Sequence, residues 1–96
     1  RVVDLTIYYR NILYIHCAPG ERKIVIVTDS NEYTIGYTLQ EMLKHLDNRF
    51  KIVHRACIVN TDRVEEYCWS KNYFVLDTGK KVDYLSKKYK KDIVNK

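Results

Sequence analysis

The run FKIVHRACIVN, residues 50–60, places a histidine, an arginine and a cysteine inside an otherwise apolar stretch. A histidine near a cysteine raises nucleophilic chemistry, in which imidazole takes the thiol proton. If the run is one strand, His54 and Cys57, three positions apart, point to opposite faces and do not meet. Nothing beside them resembles an oxyanion site. Cys57 therefore reads as a small buried hydrophobe, and the chain as a non-enzyme. The remaining donors, His16, Cys17, His45 and Cys68, follow no zinc spacing such as CxxC or HxxxH. Gly20, Gly36 and Gly79 are isolated, so no glycine-rich phosphate loop is present. No metal, cofactor or small-molecule substrate is expected.

Basic residues carry the stronger signal. They cluster at Arg22-Lys23, at His54-Arg55 and at Lys87-Lys88, with Lys90-Lys91 close behind. The formal net charge is +5. Residues 1–48 hold five Lys/Arg against six Asp/Glu, and residues 49–96 hold twelve against six. A basic half suits a polyanion such as nucleic acid, although charge alone is equally compatible with a solubilising surface. Lys87 and Lys88 are notable because Ser86 is a helix N-cap candidate. The positive end of a helix dipole disfavours cations in its first turn by about 0.3–1 kcal/mol each. Keeping two lysines there points to a contact outside the helix, unless the helix of this tail is frayed or starts later. Nine tyrosines and one tryptophan offer stacking surfaces, but tyrosine is also a natural strand residue and no RNA-recognition aromatic motif is present.

These clusters need a scaffold, and strand signals dominate the chain. DLTIYY (4–9), ILYIHC (12–17), KIVIVT (23–28) and YTIGY (33–37) come first. KIVHR, RVEEYCW (63–69), YFVLD (73–77) and KVDYL (81–85) come later. KIVIVT is apolar and β-branched without alternation, as a strand covered on both faces requires. APGER, DSNE and DTGK supply turns. One helix is clear in TLQEMLKHLDN. Thr38 and Glu41 form a capping box, and Leu39, Met42, Leu43 and Leu46 make one apolar stripe. A short helix after Ser86 closes the chain. The expectation is a mainly β fold of antiparallel sheets, with one amphipathic central helix and a short C-terminal helix.

The 96 residues suit a single domain, spanning 1–96. The only methionine is Met42, so the chain reads as a domain excised from a longer protein. Three cysteines without a paired spacing argue against a disulfide scaffold and for a reducing compartment. No apolar run approaches a membrane span, and no signal peptide opens the sequence. A cytoplasmic location is expected, with no membrane partner.

The segments NILYIHC, TLQEMLKHLDNRFKIVHRACIVNTDRVEEY and LDTGKKVDYLSKKYKK together resemble the LytTR DNA-binding domain. That domain is the output module of many bacterial two-component response regulators. The likeness covers nearly the whole chain in order, and the block around His54-Arg55 is its most specific part. It implies an elongated set of antiparallel sheets. It also implies binding of double-stranded promoter DNA by loops and strand ends in successive major grooves, on paired direct repeats. A second copy would then sit on the adjacent repeat. Carried over by position, the contacts fall on Arg22 and Lys23, on His54 and Arg55, and on Lys87 and Lys88. Arg55 is the first candidate for a base edge and Arg22 the second. Lys90 and Lys91 would meet more distant phosphates. Asn60 matches a family asparagine, and a structural role bonding local backbone is expected of it. Ala56 stands where the family often has serine, and Lys87 where arginine is common. Lysine lacks the planar fork that reads guanine, which implies a phosphate contact or a different base preference. A basic β module for protein or RNA partners is the competing reading. The geometric expectation is that His54 and Arg55 fall where the strand ends or bends, with an exposed Arg55 on the same face as Arg22 and Lys87.

Overall fold

Strand β2 (Ile24–Thr28) shows how this chain builds its core. Period-two alternation sends Ile24 and Ile26 into one apolar cluster and Val27 into another. A strand apolar on its first four residues must be covered on both sides, and here it is. The computed structural model describes residues 7–18 and 20–94. A five-stranded antiparallel sheet runs in the order β3-β2-β1-β5-β4. It is built from β1 (Ile12–Cys17), β2, β3 (Glu32–Ile35), β4 (Phe50–His54) and β5 (Cys57–Asn60). A second, three-stranded sheet runs β6-β7-β8, from β6 (Val64–Cys68), β7 (Tyr73–Leu76) and β8 (Lys81–Val82).

One side of the large sheet, through Ile12, Ile15, Ile26 and Ile58, packs on helix α1 (Leu39–Leu43). The other side, through Leu13, Tyr14, Val53, Cys57 and Val59, packs on the small sheet and on helix α2 (Lys90–Val94). A bulge between Ile12 and Tyr14 lets the adjacent Leu13 and Tyr14 join the same cluster. The resulting body is elongated, 39 × 25 × 23 Å. None of the described helices is long and apolar enough to cross a membrane.

Local signals explain most boundaries. Thr38 accepts from the Glu41 N–H at 3.1 Å, and the Glu41 carboxylate accepts from the Thr38 N–H at 2.8 Å. The capping box is thus present, and this hydrogen bonding holds the Glu41 carboxyl below its ordinary range. The helix is only five residues long, and Leu46 packs from the turn that follows. In the β7–β8 turn, Gly79 takes φ 91°, a conformation that side chains resist.

Three expectations are corrected. DLTIYY is not a strand where it is described. Its residues 4–6 lie outside the described residues, and Tyr9–Asn11 form a one-turn 3-10 helix. Tertiary docking overrides β propensity here. The Tyr9 ring meets Phe50 edge-on at 5.6 Å, and its hydroxyl donates to the His45 carbonyl. The last strand stops at Val82 because the chain then crosses to the large sheet, where the Ser86 N–H donates to the Val53 carbonyl at 2.8 Å. FKIVHRACIVN is not one strand but a hairpin, with Arg55 and Ala56 as its turn.

At the far end, Arg63 clamps three loops together. Its guanidinium donates to both oxygens of Asp29 at 2.7 and 3.0 Å, to both oxygens of Asp77 at 2.7 and 2.9 Å, and to the Arg10 carbonyl at 2.8 Å. These bonds from Arg63 hold both carboxyls below the usual range. Depressed carboxyl pKa values stabilise the fold above the unfolded value, about pH 3.9, and that contribution is lost as pH falls through the folded values. Arg63→Met is expected to lower stability by about 1–2 kcal/mol at neutral pH. It should also flatten the acid limb of a melting-temperature profile. An unchanged acid limb would count against the clamp.

Candidate nucleic-acid interface

The three basic clusters come from separate stretches of chain, and strand register brings them to one end. The β1–β2 hairpin closes where Cys17 faces Ile24, and the loop beyond it is pinned by Ala18 N–H donating to the Lys23 carbonyl at 2.9 Å. Arg22 and Lys23 are exposed on that loop. The Cys17 N–H donates to the Ala56 carbonyl at 3.1 Å, which ties the loop's base to the β4–β5 turn. Arg55 projects from that turn, exposed. The Ser86–Val53 bond then brings Lys87 and Lys88 to the end of β4.

The positions differ in chemistry. Arg55 has no ion pair or side-chain hydrogen bond among the described residues, so its guanidinium is available to a partner. Lys23 lies 3.4 Å from Glu21, but both are about half exposed, and such surface pairs hold little energy. Arg22 has no hydrogen-bonded partner among the described residues, although its charge is felt by Glu41. Ser86 caps the 3-10 turn Lys87–Tyr89, its hydroxyl accepting from the Lys88 N–H at 3.3 Å. No acid occupies that first turn. Lys87 and Lys88 are exposed in this 3-10 turn, and helix α2 begins only at Lys90, so they do not stand in the first turn of an α-helix and no helix dipole opposes them.

His54 is half-buried at the end of β4. Its Nδ1 accepts from the Ala56 N–H at 3.0 Å, closing the turn that presents Arg55. Burial, and secondarily the charge of Arg55, pushes the imidazole below its ordinary pKa. The ring is therefore neutral at physiological pH. With Nδ1 accepting, the assigned tautomer carries its proton on Nε2. His54 can donate one hydrogen bond outward, but it does not bring a charge. Tyr84 fixes the ring laterally, lying edge-on to His54 at 5.5 Å and stacked on His16 at 5.6 Å.

The hairpin makes His54 and Cys57 cross-strand partners, not opposite-facing residues of one strand. They still form no catalytic pair. Burial drives the Cys57 thiol well above its usual pKa, and it lies 3.7 Å from the Ile58 carbonyl. The only Nδ1 bond of His54 is to the turn. Among the described residues no three His, Cys, Asp or Glu side chains group as metal ligands.

Two positions at this end went unread in the sequence. A concavity of about 420 Å³ is lined by His54, Ser86, Lys87 and Lys88, and also by Asn72 and Asp83. Asn72 sits in the β6–β7 turn at φ 61°, a left-handed conformation that asparagine tolerates. The motif WSKN carries that much signal, but its meeting with His54 is a tertiary fact. Lys90 approaches the Trp69 ring at 5.9 Å. Lys91 instead lines a separate open groove with Leu46, Phe50 and Asp92.

Exposed cations from the β1–β2 loop, the β4–β5 turn and the 3-10 turn after Ser86 thus lie at one end of a two-sheet β scaffold. The chain belongs to the LytTr DNA-binding domain family, whose model matches residues 5–96. Its partner is accordingly DNA, and the family is a binding fold, not a catalytic one. The fold is also similar to the LytTr DNA-binding domain of a protein described as a methyl-accepting/DNA response regulator from Bacillus cereus. That similarity has a TM-score of 0.79 at 20% identity and covers 99% of this chain and 90% of the other. No curated protein matches the chain.

Proposed function

We propose that residues 1–96 act as one output domain of a bacterial two-component response regulator, binding promoter DNA sequence-specifically in the cytoplasm. The observation that carries this reading is the convergence of three tips, from three stretches of sequence, at one end of the body. Arg55 reads a base edge and Arg22 a second one. Lys23, Lys87 and Lys88 meet phosphates, and His54 donates Nε2–H to a phosphate or an adjacent base. Two hairpin ends and a 3-10 turn suit insertion into successive major grooves, where side chains can distinguish all four base pairs. Direct repeats would then seat a second copy beside the first. The description of the Bacillus cereus protein as a response regulator supports the regulatory context.

The salt dependence of binding tests this. Duplexes selected from a random library supply the cognate site. Neutralising the three phosphates assigned to Lys23, Lys87 and Lys88 predicts a slope of log K against log salt of roughly −3. A flat plot would exclude DNA as the functional partner. Single-stranded RNA bound more tightly than the selected duplex would favour the RNA-binding alternative.

A further inference from the structure

Asp83 is out of place on a surface meant only for phosphates. Duplex DNA presents one negative charge per about 1.7 Å, so a carboxylate among the contacts is repelled unless something rewards it. Asp83 is exposed, and it has no ion pair or hydrogen bond among the described residues. Holding the fold therefore does not explain it. Its position is nevertheless fixed. Val82 before it and Leu85 after it are buried at 4% and 2% exposure, and Ser86 is bonded to β4. This strap holds Asp83 in the wall of the concavity, with Lys87, Lys88 and His54 around it.

A carboxylate only accepts hydrogen bonds. In the major groove, guanine and thymine offer acceptors, while the exocyclic amino groups of cytosine and adenine are the donors. We propose that Asp83 determines specificity by accepting a hydrogen bond from the exocyclic amino group of a cytosine or adenine, between phosphates held by Lys87 and Lys88. The cations offset the repulsion at the correct site. At a guanine or thymine the carboxylate faces acceptors and is left unpaired, which penalises the wrong sequence. Asn72, on the same concavity, supplies a second polar group for the neighbouring position. This inference rests on the DNA reading and adds one base choice to it.

The test uses the whole chain and the Asp83→Ala and Asp83→Asn variants, with folding checked by circular dichroism. Each is bound to its selected duplex, to random duplex, and to duplexes carrying each of the four base pairs at every selected position. The expected result is one position at which wild type prefers cytosine or adenine by about tenfold. Asp83→Ala should lose that preference while its affinity for random duplex is equal or higher. The four base pairs separate cytosine from adenine as the base read. If no position couples to Asp83, or if both variants gain affinity equally for every duplex, Asp83 is only a repulsive surface charge and the proposal is overturned. Failure of the parent reading looks different, because wild type itself would then bind selected and random duplex alike.

Discussion

Replacing Asn60 with alanine is expected to lower unfolding free energy by about 2–4 kcal/mol. Asn60 ends β5 and is fully buried. Its amide nitrogen donates to the Ile12 carbonyl at 2.9 Å and the Tyr9 carbonyl at 3.2 Å, and its oxygen accepts from the Asp62 N–H at 3.0 Å. One side chain thus fastens the start of β1, the preceding 3-10 turn and the turn into β6. Alanine removes all three bonds; the Ile12 carbonyl, bonded in the buried interior, loses a partner at a cost of about 1–3 kcal/mol before relaxation, and the part-buried Tyr9 and Asp62 groups lose theirs at a smaller cost. Asn60→Asp should be at least as damaging at neutral pH. It keeps the shape but turns a donor into an acceptor facing two carbonyls. Chemical denaturation checks both variants. A loss below about 0.5 kcal/mol for Asn60→Ala, typical of a surface change, would show that the network is dispensable. DNA affinity measured well below the melting midpoint should stay near wild type, since Asn60 does not reach the surface.

Asn60 was readable as structural only in part: the local bond from the Asp62 N–H is present, but its amide donates to Tyr9 and Ile12, 51 and 48 residues away, which no local pattern shows. The doubly covered β2, the capping box at Thr38 and the solvent-facing Arg55 were legible, since each rests on a local pattern. The β4–β5 turn was legible only as a strand end or bend at His54-Arg55, not as a hairpin. IVHRACIV holds no glycine, proline or asparagine, and the turn is closed by the His54 ring accepting from Ala56. A histidine cap of that kind has no sequence signature. The Arg63 clamp was equally hidden, because its partners lie 34 and 14 residues away. Asp83 and Asn72 look like ordinary surface residues until the strap after β8 and the β6–β7 turn put them on one concavity with His54. The tips could be found from charge; the concavity between them could not, because it is made by long-range packing.

That distinction sets what Arg55→Ala should do. Arg55 is exposed and unpartnered among the described residues, and its turn is held by His54, not by its own side chain. Removing it should leave circular dichroism and the melting temperature unchanged, while affinity for the selected duplex falls by about 1–3 kcal/mol. Arg55→Lys separates the two ways an arginine can act. If the guanidinium reads a base with its planar fork, lysine keeps the charge and the affinity for random duplex, but loses most of the discrimination. If Arg55 instead meets a phosphate, lysine restores nearly everything, and alanine weakens all sequences alike and reduces the salt slope by about one. Loss of the turn bond would confuse neither result. At neutral pH the His54 ring is uncharged and keeps accepting from Ala56 whatever stands at 55, and removing the arginine charge only relaxes a secondary pressure on its pKa. A variant that binds the selected duplex as wild type does would remove Arg55 from the contact. The strand-end histidine would then be left presenting an arginine with nothing to read.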